Sequence, residues 1–395
     1  MKAFLYKAKG ALALALAMSL CSTQVFAAEA LSAEQQGVQV APVVEKTEEE
    51  VAPLPTLTYE EALAKAKKHS PDLRDIQDTA DFLQETKEDL WDSGYFNMPT
   101  YDYQKWVNDG WWAVTSAAFQ TDMGMQQNSI GRKLTELALE VTVKSYFTTI
   151  LSDLDNLELV QKNADMQKKL YQQGQTKYRL GLLSKYNLDQ LEIAANQAQD
   201  TVKQLEAKLE QEYIKLNNLM GEKSDQRFTF VYDVSYEPYK MNQTMDQYIN
   251  DKTNNDLTIQ LAELKLESAK FGKNYLKEST NSSEQNQNDL TYDQAKRALK
   301  TAKEDKALAI RNAYLQIQQL ETAYASAQAD LTKAQADYRA VQVNYQAGNV
   351  TKTAVEQAQM GVLKAEIALR QNAYNHDMLV FTFENPSLLG SSSQS

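Results

Sequence analysis

The side chains able to do metal, nucleophile or proton-relay chemistry in this chain are few. There is one cysteine, Cys21, and there are two histidines, His69 and His376. A structural zinc site takes four Cys or His ligands, and a nucleophile relay needs a base and an orienting third group beside it. Two histidines on separate helical stretches supply neither. Carboxylates are abundant, among them Glu48-Glu49-Glu50, Asp330 and Asp337. Paired acids do acid–base work when burial holds them together; here nothing in the pattern buries them, and charges at such spacing form a solvated helix face. Neither GxGxxG nor GxxxxGK[ST] occurs, so no phosphate-cradling loop is expected. With 53 acidic against 41 basic residues, a nucleic-acid binder is disfavoured too. The reading is a non-enzymatic chain without cofactor or metal.

Two other features remain for function. The first is aromatic. All four tryptophans, Trp91, Trp106, Trp111 and Trp112, fall close together with Tyr95, Phe96, Tyr101, Tyr103 and Phe119. Tyr101 to Val107, then Asn108-Asp109-Gly110, then Trp111 to Ala117 reads as a short β-hairpin. Tyr101, Tyr103, Trp106, Trp111 and Trp112 then either face a membrane or a wall polymer, or pack as the cap where helices end. The second feature is a pair of glycine turns. Tyr178-Arg179-Leu180-Gly181-Leu182-Leu183-Ser184-Lys185 matches Tyr345-Gln346-Ala347-Gly348-Asn349-Val350-Thr351-Lys352 at an offset of 167. Each reads as helix, tight turn at the glycine, returning helix.

The elements that must position these features are long helices. The chain has only 13 glycines and 7 prolines, and between Thr100 and Asn385 the only proline is Pro238. Ala313, Ile317, Leu320, Tyr324, Ala327, Leu331, Ala334, Tyr338, Val341 and Tyr345 step alternately by four and three. So do Leu188, Leu191, Ala195, Ala198, Val202, Leu205 and Leu209; the phase fails at Glu212 and resumes at Leu216 and Leu219. A repeat of 3.5 residues is the seam of a coiled coil. At about 1.5 Å per residue, Leu134 to Leu180 gives a rod of roughly 70 Å and Thr291 to Tyr345 one of roughly 80 Å. Capping boxes at Thr58, Thr244, Thr291 and Thr353 predict four helix starts. The fold class is mainly α: antiparallel coiled-coil hairpins in a tandem duplication, with one short strand region at Arg227 to Val234.

The chain divides as follows. Residues 1–27 read as a signal peptide, with basic Lys2, Lys7 and Lys9, an apolar stretch, and cleavage before Ala28. Residues 28–56 form an acidic, proline-containing linker. The first repeat is 57–221, the strand connector 222–243, the second repeat 244–387 and a disordered tail 388–395. Membrane strands are scarce in this reading. The first repeat offers at most two short ones, and the second offers none between Ser279 and Leu290. Three copies would supply six short strands, below the eight of a small barrel. Either the chain does not span a membrane, or the aromatic segment inserts in another way.

The arrangement resembles the TolC-like outer-membrane efflux protein family. The residues that carry the resemblance are Thr58 to Leu73 with Ser70-Pro71-Asp72-Leu73, the turns Tyr178 to Ser184 and Tyr345 to Thr351, and the duplication itself. The resemblance covers Thr58 to about Pro386. It implies a homotrimer whose twelve helices make a hollow duct, placed in the cell envelope at the outer membrane. It also implies a periplasmic adaptor and an inner-membrane pump as partners. Gly181, Leu182, Leu183, Gly348, Asn349 and Val350 match the adaptor-contacting tips, and Tyr178 and Tyr345 the entrance constriction. The family's charged gate has no counterpart: Val350, Ala354 and Gln357 stand at its positions, and Asn187 replaces an acid in the first copy. Alternatives from other classes are a non-spanning envelope scaffold that keeps the docking tips, and a wall-binding coiled coil.

Overall fold

Thr58 starts the first helix as its box predicts: its hydroxyl accepts from the Glu61 N–H while the Glu61 carboxylate accepts from the Thr58 N–H. Thr244 and Gln247 do the same at the opening of the second half. The structure is a computed structural model and describes residues 54–92, 111–275 and 282–389. In chain order the helices are α1 (Tyr59–His69), α2 (Pro71–Asp92), α3 (Trp111–Arg179) and α4 (Lys185–Met220), then α5 (Met245–Asn254), α6 (Leu257–Tyr275), α7 (Ser282–Gln346) and α8 (Lys352–Glu384). Each half is thus a short helix, a medium one, a very long one, a glycine turn and a long returning helix. A 3-10 turn at Pro386–Leu388 closes the described chain. Among the described residues the strands are β1 (Thr56–Thr58) and β2 (Thr229–Val231), paired in parallel with Thr56 opposite Thr229 and Thr58 opposite Val231.

The heptad seams are real packing surfaces. In α7, Ala313, Ile317, Ala327 and Leu331 are buried, and Leu320, Tyr324, Ala334, Tyr338 and Val341 are half-buried against the returning helix α8. In α4, Leu188, Ala198, Val202 and Leu209 are buried against α3. The break in phase at Glu212 is filled by Tyr213, which is buried and accepts the Arg227 guanidinium over its ring at 4.7 Å.

Each half builds its own core where short helix meets long ones. In the first, Phe147, Val143 and Ile150 of α3 are fully enclosed by Ala62 and Ala66 of α1, Leu216 of α4 and Leu57 of β1. Burying Phe147 alone contributes about 2–3 kcal/mol, and its ring meets Phe230 edge-on at 4.9 Å. In the second, Phe383 of α8 stacks on Tyr248 of α5 at 4.6 Å, with Ile310 and Ile317 of α7 beneath. A third cluster of Met123, Ile130 and Leu264 joins α3 to α6, capped by the stacked rings of Phe119 and Phe271.

Several sequence expectations are corrected. The stretch Trp111 to Ala117 is the first two turns of α3, not a hairpin strand, and runs on without a break into a 69-residue helix. The preceding arm, with Tyr101, Tyr103 and Trp106, lies outside the described residues. Thr291 caps nothing: it sits inside α7, and its hydroxyl donates to the Gln287 carbonyl one turn back. The cap of α8 is Thr351, whose hydroxyl accepts from the Ala354 N–H, two residues before the predicted box at Thr353. The rods are therefore longer than expected, about 100 Å each at 1.5 Å per residue. The strand expected over Arg227 to Val234 keeps three paired residues, because its partner β1 is only three residues long. Thr56, read as linker, is in that partner. Leu388 and Leu389, read as tail, are ordered: the Leu388 N–H donates to the Asn385 carbonyl at 2.9 Å, and the buried Lys306 ammonium donates to the carbonyls of Pro386 at 2.8 Å and Leu389 at 3.1 Å.

Candidate functional site at the helical tips

The two predicted turns are built alike. Gly181 and Gly348 take φ of +72° and +77°, in the left-handed region that favours glycine. The N–H of Gly181 donates to the Tyr178 carbonyl and that of Leu182 to the Lys177 carbonyl, at 2.9 and 2.8 Å. The second turn repeats this with Gly348 to Tyr345 and Asn349 to Asn344, at the same distances. This pair of bonds is the Schellman closure, which satisfies the last carbonyls of a helix and reverses the chain. The returning helices are capped by equivalent hydroxyls, Ser184 on the Asn187 N–H and Thr351 on the Ala354 N–H. Tyr178 and Tyr345 are therefore first of all turn residues: their carbonyls accept the closing bonds.

What the turns present is apolar. Leu182 is 73% exposed and Leu180 67%, and Tyr186 just beyond is 71% exposed. Leu183 folds back toward the hairpin, near Gly174. In the second tip Val343 is 65% exposed and Asn349 is also exposed, while Val350 is half-buried. Tyr178 and Tyr345 are each nearly half exposed. Chain ends of a hairpin normally carry polar residues, so bare leucines there make an exposed apolar patch. Tyr186 belongs to that surface and was missed in the sequence, where it reads as an ordinary first-turn residue of α4.

The hairpins are tied side by side through α3 and α8. Lys169 pairs with Glu356 at 3.2 Å nearest the tips. Further along, the Arg370 guanidinium grips Asp155 with two bonds of 2.9 Å, and Lys144 pairs with Asp377 at 2.8 Å. The three pairs climb α3 and descend α8, as antiparallel neighbours must. Asp377 also accepts from the Tyr232 hydroxyl at 2.7 Å. Burial, followed by that carboxylate, drives the Tyr232 phenol well above its ordinary range. Burial, then Glu140, pushes the Tyr59 phenol up to about 12. Both remain neutral donors at any physiological pH.

The histidines stay apart. His69 packs against the Gly221 backbone, and His376 lies buried against the Tyr236 ring at 4.9 Å, with Nε2 3.6 Å from Glu321. Among the described residues no group of three His, Cys, Asp or Glu is placed to hold a metal ion. Trp111 and Trp112 lie in the first turn of α3. No described helix is long and apolar enough to cross a membrane.

No protein-family model matches the sequence, and no curated protein matches it either. Solved structures do match. The outer membrane protein VceC of Vibrio cholerae aligns over 82% of this chain and 95% of its own, with 13% identity and a TM-score of 0.56. The CmeC outer membrane channel of Campylobacter jejuni aligns over 92% of this chain and 95% of its own, with 11% identity and a TM-score of 0.59. At such identities the likeness is one of architecture. This chain carries the TolC-like fold of outer membrane channels.

Proposed function

We propose that the chain is the exit duct of an export system, a homotrimer of helical hairpins that receives an adaptor protein at its tips. The observation that carries this reading is the pair of matched Schellman turns with their exposed apolar residues, Leu180 and Leu182 in one and Val343 in the other. Such a surface at the end of a rod of about 100 Å is made for end-on docking. The long faces left uncovered in one chain, with Leu308 and Leu315 of α7 more than half exposed, support side-by-side assembly of copies. An inner-membrane pump would feed the duct through the adaptor, and the substrate would pass along helix faces without chemistry. The assembly would stand in the cell envelope, reached by the export signal.

A second reading is favoured by one measurement of chain length. α6 runs to Tyr275 and α7 starts at Ser282, leaving 276–281 to link them. A membrane-crossing strand takes about 9–11 residues. The second repeat thus contributes less chain than one such strand at the place where a barrel would insert, which supports a docking scaffold without a full barrel.

Light scattering coupled to size exclusion, with and without detergent, tests both. A trimer that needs bound detergent supports the membrane duct. A trimer free of detergent supports the scaffold reading. A monomer at micromolar concentration in both conditions overturns the proposal.

A further inference from the structure

α5 and the middle of α7 run antiparallel, with Arg311 paired to Asp246 at 2.6 Å at one end. Between them, further along, is an open cleft of about 460 Å³, within the size range of small-ligand sites. Its floor is apolar, from Ile249 of α5 and Leu299 and Ala307 of α7. Its rim is basic. Lys296, Lys300 and Lys303 line it, against one acid, Glu304. Lys303 is engaged by Glu263 at 2.8 Å, and Lys300 is only loosely paired with Glu304 at 3.8 Å. Among the described residues Lys296 makes no ion pair within 4 Å. In a chain of net charge −12 this is a local reversal of sign.

Thr253 also lines the cleft, but its hydroxyl is enclosed by protein. We infer that this cleft binds a single-chain amphiphilic anion. The apolar chain lies on Ile249, Leu299 and Ala307. The carboxylate or phosphate head sits between Lys296 and Lys300. The spacing from Lys296 to Ala307 along α7, about 16 Å at 1.5 Å per residue, suits a medium-length chain. The inference is independent of the duct reading.

Calorimetric titration of the full-length protein with monomeric decanoate tests it, with decanol as the uncharged control. Saturable binding at one site per chain is expected. The double variant Lys296→Gln/Lys300→Gln should weaken it about tenfold or more, with the thermal melt unchanged. The inference is overturned if wild type takes up no decanoate, if decanol binds as well as decanoate, or if the lysine variant binds like wild type. Lysines that served only to balance the C-terminal end of α5 would lower the melting temperature on replacement and leave binding alone. Capture by anionic phosphatidylglycerol vesicles without uptake of monomeric decanoate would also overturn it, in favour of a membrane-facing patch.

Discussion

Three glycines close helices in the left-handed region, Gly181, Gly221 and Gly348, and the structure separates them sharply. An alanine at Gly181 or Gly348 meets nothing within 4 Å. Its cost is conformational, about 1–2 kcal/mol for the left-handed backbone, offset by about 0.4–1 kcal/mol from a stiffer unfolded chain. Each replacement should destabilise by about 1 kcal/mol. At Gly221 the added Cβ would lie 2.5 Å from His69 Nδ1 and 2.6 Å from its Cγ. Cγ is next to the backbone, so the ring cannot simply swing its far edge away, and α1 or the turn must shift. Overpacking of this kind costs about 1–3 kcal/mol more, giving about 2–4 kcal/mol for Gly221→Ala. Urea unfolding followed by circular dichroism reads the difference as a midpoint shift at constant slope. In the His69→Ala background the steric part is gone, and Gly221→Ala should cost only about 1 kcal/mol. A Gly221→Ala variant no less stable than Gly348→Ala, or no rescue by His69→Ala, would refute the reasoning.

Other consequences follow from the same geometry. Asp256 is fully buried, pairs with the buried Lys306 at 3.2 Å and caps α6 through the N–H groups of Thr258 and Ile259; Asp256→Ala should cost about 3–5 kcal/mol, and Lys306→Met less, since the cap survives. Both are read in the same urea assay, and equal effects would show that the cap contributes nothing. Leu182→Asp places a charge on a residue that is mostly solvated already, so stability should stay within about 0.5 kcal/mol while adaptor capture is lost in pull-down. Retained capture would remove Leu182 from the docking surface. Burial raises the phenols of Tyr59, Tyr232 and Tyr248. Below pH 10 they are neutral in both states, and above it the unfolded chain ionises first. The stability they give is therefore present below about pH 10 and is lost as pH climbs toward the folded value of about 12 for Tyr59. Burial lowers the pKa of Lys306, which works the other way, but one lysine stands against three tyrosines. Tyrosinate absorbance and helical dichroism recorded together should show a buried fraction that ionises only as helix is lost; ionisation of every tyrosine near pH 10 with helix intact would contradict it.

Much of the architecture is written locally. Left-handed glycines, hydroxyl caps and a 3.5-residue seam each act within one or two turns of chain, so Gly181, Gly348, Thr58, Thr244 and the run from Ala313 to Val341 could be read from residues alone. Thr291 and Thr353 carry the same cap signature as Thr58, yet α7 swallows the first and Thr351 pre-empts the second. A cap competes with helix continuation, and polar but helix-tolerant neighbours such as Gln285 and Gln287 let the rod run on. Trp111 to Ala117 shows the same limit: aromatic residues favour strands only where a strand partner exists, and here the chain joins a helix instead.

What no local signal held is set by groups brought from far along the chain. β1 is three residues long and exists because Thr229 to Val231 lies alongside it. Phe147 is core because α1, α4 and β1 enclose it. Asp155 and Arg370, or Asp256 and Lys306, are unremarkable charges in the sequence, where each reads as part of a solvated face. Tertiary packing buries the second pair, partly covers the first, and makes each residue the other's partner. Tyr186 likewise joins the exposed apolar tip only once α3 and α4 pack and leave it bare. Helices, turns and duplication were legible from residues alone, because those depend on near neighbours. Pairing, burial and the cleft between α5 and α7 were decided by the tertiary structure, because each depends on which distant surfaces remove water from one another.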